Sequence, residues 1–233
     1  MCTERGSGDP GGTPATARPR RQRGDDPLWI VGLVGRAGSG KSTLARAFAA
    51  RGFPVLDADR VGHEVAERDP EVRAALSVEH GPEVYWADGT LDRARVAARV
   101  FRDPAALARL NALVHPRIVA KLGEALDSLR ERGYRGGVIV DAALILNWGF
   151  ERECDLLVAV TAPEPELVSR LMRARGWSEE DIRARLAAQP TDERLAAAAD
   201  LVLENRGSES ELVETALREI AARMPAPAGE GRP

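Results

Sequence analysis

The sequence predicts an α/β fold: a five-stranded parallel sheet flanked by helices, with a helical insertion and a helical lid. Three observations carry that expectation. First, five short apolar runs (residues 28–34, 53–56, 137–141, 156–160 and 201–203) are separated by stretches of helical periodicity. Runs without polar alternation suit strands buried on both faces, as in parallel sheets. Second, Gly35-Arg36-Ala37-Gly38-Ser39-Gly40-Lys41-Ser42 reads G-x-x-x-x-G-K-[ST] and falls between the first run and a breaker-free Ala- and Leu-containing stretch. Third, two runs lead into aspartates, Asp57 to Asp59 and Asp141. The carboxyl ends of parallel strands border the crevice where open α/β sheets bind ligands.

The bulk numbers agree. At 233 residues the chain fits one domain carrying an inserted subdomain and tails. Hydrophobic content of 44% and charged content of 30% are ordinary for a globular protein. A net charge of −3 argues against a nucleic-acid-binding surface over the whole molecule. With only two cysteines, Cys2 and Cys154, no disulfide framework is implied, and a reducing cytoplasm is the expected location. No apolar run approaches the length of a membrane span.

Residues 1–27 contain many Gly, Pro, Arg and Thr and almost no large apolar residues, which predicts a disordered tail. It lacks the apolar segment of a secretory signal. Its arginines are expected to be solvated, partly balanced by Asp25 and Asp26. The domain proper is expected over 28–224, with a second disordered tail at 225–233.

After the first strand, the glycines at 35, 38 and 40 allow successive N–H groups to converge on phosphate oxygens. The following helix adds unsatisfied N–H groups and a partial positive charge. In this pattern Lys41 reaches the β- and γ-phosphates of a nucleotide and Ser42 ligates Mg²⁺. The second strand ends at Asp57-Ala58-Asp59; one of these carboxylates is expected to cap a helix and the other to face the phosphates.

Residues 60–135 lack a clear strand and predict a helical substrate-binding insertion. Asp103-Pro104 is a cap followed by proline at the first helical position. Leu107, Leu110, Val114, Ile118 and Leu122 then form a helical stripe. His115-Pro116 is expected to end or kink it. The third strand ends in Asp141, a carboxylate placed to orient Mg²⁺ or its water.

Between the fourth and fifth strands, residues 164–190 predict a helical hairpin broken at Gly176-Trp177. It carries Arg170, Arg173 and Arg175, as a lid that closes over phosphates would. Solvated arginines on a helix face are the simpler alternative for any one of them. Finally, Ser208-Glu209-Ser210-Glu211 is an S-x-x-E capping box that opens the last helix.

Together these segments resemble the dephospho-coenzyme A kinases, P-loop kinases of the nucleoside monophosphate kinase type. The resemblance covers about residues 28–224. It rests on residues 32–43, on Val55-Leu56-Asp57-Ala58-Asp59, and on Leu110-Asn111-Ala112-Leu113-Val114-His115-Pro116. Ala187-Ala188-Gln189 and residues 199–207 continue it.

What the resemblance implies is transfer of the ATP γ-phosphoryl group to the ribose 3′-hydroxyl of dephospho-CoA, the last step of coenzyme A synthesis. Asp59 matches the family's catalytic aspartate. Residues 35–43, including Thr43, would cradle ATP, with Asn205 near the adenine. His115, Pro116 and Arg170 would serve the substrate, Arg173 and Arg175 the transition state, and Ser42 with Asp141 the Mg²⁺. The protein would act on a small molecule in the cytoplasm, as a monomer or weak homo-oligomer.

Two departures stand out. The family's D-x-P-L-L-F-E segment reads Asp141-Ala142-Ala143-Leu144-Ile145-Leu146-Asn147 here, so a proline and a glutamate are lost. The family's lid arginine falls on Ala174, between Arg173 and Arg175. The alternative readings are a nucleoside or sugar kinase of the same fold, a nucleotide-dependent switch, and a degenerate homologue that binds nucleotide without turnover. The N-A-L-x-H-P segment argues against the first, and the absence of an N-K-x-D guanine-reading segment against the second.

Overall fold

The computed structural model describes residues 24–100 and 103–224. The tails expected at 1–27 and 225–233 lie outside the described residues except for 24–27, where Asp26 accepts a hydrogen bond from Leu28 N and pairs with Arg130. Five strands, β1 (Leu28–Val34), β2 (Val55–Asp57), β3 (Gly136–Asp141), β4 (Leu156–Thr161) and β5 (Leu201–Glu204), form one parallel sheet in the order β2-β3-β1-β4-β5. All seven residues of β1 are buried, which is why its sequence shows no polar alternation.

Two side chains pin the register. Asp155 Oδ2 accepts from Ile30 N at 2.7 Å, and Asp200 Oδ2 accepts from Leu157 N at 2.8 Å. Each aspartate precedes a strand and holds the neighbour already in place.

Helices cover both faces. On one face α1 (Lys41–Ala49) and α10 (Glu209–Ala221) bury Leu44, Phe48, Leu212 and Ile220 against Val31, Leu33, Val158 and Val160. On the other, α2 (Ala58–Arg68), α3 (Pro70–His80) and the long α5 (Pro104–Glu131) bury Val65, Leu76, Ile118 and Leu122 with Ile30, Val140 and Leu157. Among the described residues, 60–135 therefore hold helices and no strand, as expected, with α4 (Arg93–Val100) completing the block and an isolated bridge joining Tyr85 to Leu91.

Four features differ from the sequence expectation. α5 runs unbroken through Pro116 for 28 residues. Proline removes the donor to Ala112 and crowds the carbonyls before it; here the Arg117 guanidinium donates to Leu113 O at 2.8 Å, and Arg117 also pairs with Asp69 at 3.1 Å. These contacts and the packing of α5 against α2 outweigh the local break. The second strand begins at Val55 rather than Phe53, because Phe53 packs edge-on to Phe48 of α1 at 5.3 Å. A short helix, α6 (Ile145–Trp148), follows β3, and α9 (Asp192–Ala198), capped by Thr191, precedes β5.

Beyond β4, α7 (Glu164–Arg175) and α8 (Glu179–Ala187) make an antiparallel hairpin with its own small core of Leu167, Val168, Leu171, Ile182 and Leu186. Gly176 closes α7 in the left-handed conformation at φ 65°. The S-x-x-E box at Ser208 forms in full: its hydroxyl accepts from Glu211 N, and the Glu211 carboxylate accepts from Ser208 N.

Candidate active site

The carboxyl ends of β1, β2 and β3 converge where the glycine loop, residues 35–42, turns into α1. Gly40 caps α1 at φ 111°, in the region a side chain disfavours. A Cβ there would also lie 2.6 Å from Asn205 Nδ2 and 2.8 Å from a Leu212 methyl, so only glycine fits.

The loop is held from outside by named side chains. Asn205, 6% exposed, donates from Nδ2 to Ser39 O at 2.7 Å. Arg170 donates to Gly38 O at 3.4 Å, to Asn205 O at 3.0 Å and to Asn205 Oδ1 at 3.3 Å, while Glu166 holds its guanidinium at 2.7 Å. Both functional groups of the Asn205 amide are thus engaged with protein. Ser39 Oγ is buried without a hydrogen-bond partner.

Lys41 Nζ lies 3.5 Å from Asp141 Oδ1, with the two side chains 10% and 14% exposed. Burial pushes the Asp141 carboxyl above the ordinary carboxylate range; Lys41 opposes that shift, while Asp59 and Asp57 reinforce it. Asp57 stands level with Asp141 in the β2–β3 register and caps α2, accepting from Arg60 N at 2.9 Å. The carboxylate that caps is therefore Asp57, and Asp59, in the first turn of α2, opens to the cleft.

That cleft has a volume of about 750 Å³. Lys41, Ser42 and Asp59 line it from the sheet side, and Arg170, Arg173 and Arg175 from the α7–α8 hairpin. Its remaining lining includes Arg36, Ala37, Gly38, Gly40, Thr43 and Asn205. So loop, aspartate and hairpin arginines, far apart in sequence, border one space. Ala174 lines it as well, between Arg173 and Arg175, and so does Ala143, while Asn147, four residues on, is exposed on α6.

His115 and Pro116 sit on α5 and are not among the residues bordering this cleft. The His115 ring packs at a tilt on Trp148, centroids 5.7 Å apart, and burial lowers its pKa below 6.5. Such an imidazole favours the neutral form. On α2, His63 is lowered too, first by burial and then by Arg93.

Sequence reasoning assigned no role to two further cleft residues, Trp177 and Gln189, and expected Arg36, as part of the glycine loop, to help cradle ATP. Trp177 lines the cleft at the hairpin turn, with Arg185 stacked over its ring at 4.4 Å. Arg36 reaches away from the loop toward Glu164 at 3.2 Å. Gln189 Oε1 accepts from Ala37 N at 2.9 Å. The tryptophan beside a glycine at the hairpin turn and the Ala187-Ala188-Gln189 segment of the resemblance were the visible signals. The partners of Arg36 and Gln189 are more than 120 residues away and carry no local pattern.

The sequence profile of the family described as dephospho-CoA kinase matches residues 29–211. The dephospho-CoA kinase of Thermobifida fusca is 40% identical over 183 residues, covering 78% of this chain and 90% of that protein. That of Deinococcus radiodurans is 42% identical over 193 residues, covering 82% and 91%. Among solved structures, a protein of Thermus thermophilus superposes with a TM-score of 0.73 at 35% identity, covering 85% of this chain and 99% of that one.

Proposed function

Because the chain belongs to the dephospho-CoA kinase family, we propose that the cleft between the glycine loop, α2 and the α7–α8 hairpin is where its reaction takes place, and that Asp59 serves the acceptor. The reaction is ATP-dependent transfer of the γ-phosphoryl group to the ribose 3′-hydroxyl of dephospho-CoA, giving coenzyme A and ADP. The observation that carries this assignment is the convergence of Lys41, Asp59 and three hairpin arginines on a single cleft, in a chain whose family match runs from residue 29 to 211.

Phosphoryl transfer asks the protein mainly for positioning and charge stabilisation. The attacking 3′-oxygen forms a bond to the γ-phosphorus as the bond to the ADP oxygen breaks. Asp59 accepts or orients the proton of that hydroxyl. Residues 35–43 supply backbone N–H groups to the phosphates, and the unpaired Ser39 hydroxyl supports a polar occupant of the loop. Lys41 leaves Asp141 for the β- and γ-phosphates. Arg173 and Arg175 supply positive charge from the lid side.

Arg170 and Asn205 act chiefly by bracing residues 38 and 39 of the loop, which supports a position beside the nucleotide. His115 and Pro116 are assigned to the acceptor on the resemblance of their segment. The hydroxyl of Ser42 and the carboxylate of Asp141 fit Mg²⁺, a hard cation that takes oxygen ligands. When bound with ATP, it neutralises developing charge on the phosphates. The reading includes a cytoplasmic enzyme, monomeric or weakly self-associating, with no nucleic-acid partner. Among the described residues no helix is long and apolar enough to cross a membrane.

The test is a coupled assay of ADP release with purified protein, ATP, Mg²⁺ and dephospho-CoA, beside an omission control and a panel of nucleosides and sugars. ADP formed only with dephospho-CoA, together with a product of coenzyme A mass, is the expected result. Turnover on another acceptor would keep the fold and overturn the substrate.

A further inference from the structure

Both ends of the α7–α8 hairpin return to Arg36 of the glycine loop, and the far end also holds its neighbour Ala37. At the start of α7, Glu164 accepts from the Arg36 guanidinium at 3.2 and 3.3 Å through one oxygen, and from Arg183 at 3.0 Å through the other. At the end of α8, Leu186 O accepts from Arg36 Nη2 at 3.2 Å. Two residues past α8, Gln189 Oε1 accepts from the backbone N–H of Ala37 at 2.9 Å. Ala37 itself packs on the hairpin's small apolar core. The Arg36 side chain is 11% exposed, while Glu164 opposite it is 42% exposed.

Because the partner in the Gln189 contact is an N–H, the amide must present its oxygen there, and its orientation is determined. The nitrogen of the same amide has no hydrogen-bond partner among the described residues, and Gln189 lines the cleft. Among the described residues, Gln189 is therefore the one neutral side chain linking the hairpin's end directly to the loop backbone.

We propose that Gln189 is a positioning residue for phosphoryl transfer: its side-chain oxygen holds Ala37 N–H and so ties the loop to the root of the lid. Loop N–H groups and lid arginines then address the same phosphates in one registered geometry. The proposal rests on the phosphotransferase reading above. A misplacement of about 1 Å between reacting groups costs on the order of 100-fold in rate, so a single such tie suffices to matter.

Two substitutions in the full-length protein separate positioning from mere structure. Gln189→Leu removes the acceptor and orphans Ala37 N–H. Gln189→Glu keeps an oxygen for that N–H but adds a negative charge beside the phosphates. The measurements are ATP Kd by direct titration without acceptor, kcat at saturating ATP, KM for dephospho-CoA, and Tm. For Gln189→Leu we expect kcat about 10- to 100-fold lower, with ATP Kd and Tm little changed. For Gln189→Glu we expect ATP Kd raised about 10- to 100-fold and kcat at saturating ATP within a few-fold of wild type.

A Gln189→Leu enzyme with kcat within twofold of wild type overturns the proposal. So does a parallel fall of Tm and kcat in both variants, which would make Gln189 a structural residue only. If Gln189→Leu does not fold, Gln189→Glu decides alone: with the acceptor oxygen kept, a kcat at saturating ATP tenfold or more below wild type overturns the proposal. If the wild type releases no acceptor-dependent ADP, the functional reading has failed, while faster hydrogen exchange at Ala37 N–H in Gln189→Leu still reads the tie to the loop.

Discussion

Lys41 and Asp141 form an ion pair at the candidate site, and Asp59 borders the same cleft with no side-chain hydrogen bond among the described residues. Asp57 does the capping, which leaves Asp59 as the carboxylate proposed to serve the acceptor. Asp59→Asn is expected to lower kcat by about 10²–10⁴-fold while leaving ATP affinity nearly unchanged, as steady-state kinetics with ATP titration would read. A loss under tenfold would reduce Asp59 to a bystander. Lys41→Ala should weaken ATP binding and slow turnover together, each by about tenfold or more, as the role proposed for its ammonium in both ground and transition states requires. It also leaves the half-dry Asp141 without its cation, so a lower Tm is expected alongside.

At the scale of elements, α5 carries the clearest conflict between local preference and tertiary context. A proline in mid-helix costs roughly 3 kcal/mol relative to alanine in a helix interior. The helix continues because its face packs on α2 and because Arg117 takes up a carbonyl next to the interruption. Pro116→Ala is therefore expected to raise Tm by about 2–8 °C, the lower end reflecting the entropy that proline removes from the unfolded chain. Thermal melts would read it. A fall in Tm would mean that the ring's own packing exceeds the lost hydrogen bond. The α7–α8 hairpin illustrates the converse: each helix is short, and its stability rests on a small private core plus its ties to Arg36 and Ala37.

For the whole molecule, the pH dependence of stability follows from its buried titratable groups. Burial lowers the His115 pKa below 6.5, so the folded state resists a proton that the unfolded chain accepts. The stability held in the neutral imidazole is present above that value and lost as pH falls through it toward the folded pKa. Tm measured from pH 8 down to pH 5 should decline, and His115→Gln should flatten the decline. An identical slope in the variant would place the proton uptake elsewhere, with His63, lowered by burial and by Arg93, as the next group to replace.

Much of this architecture was legible in the chain. Apolar runs without alternation located four of the five strands to within about a residue, because strands buried on both faces need apolar side chains throughout. The glycine loop, the Asp103 and Ser208 caps and the Gly176 stop were readable because their chemistry is confined to a few consecutive residues. What only tertiary structure decided is whatever depends on distant partners. It selected Asp57 for the cap, carried α5 through Pro116 and moved the start of β2 to accommodate Phe53. It also committed Asn205 and Arg170 to the loop, and brought Arg36 and Ala37 to both ends of the hairpin. The physical reason is common to all of these. A local pattern states what a segment can do, whereas burial and hydrogen-bond competition in the packed fold choose which option is taken.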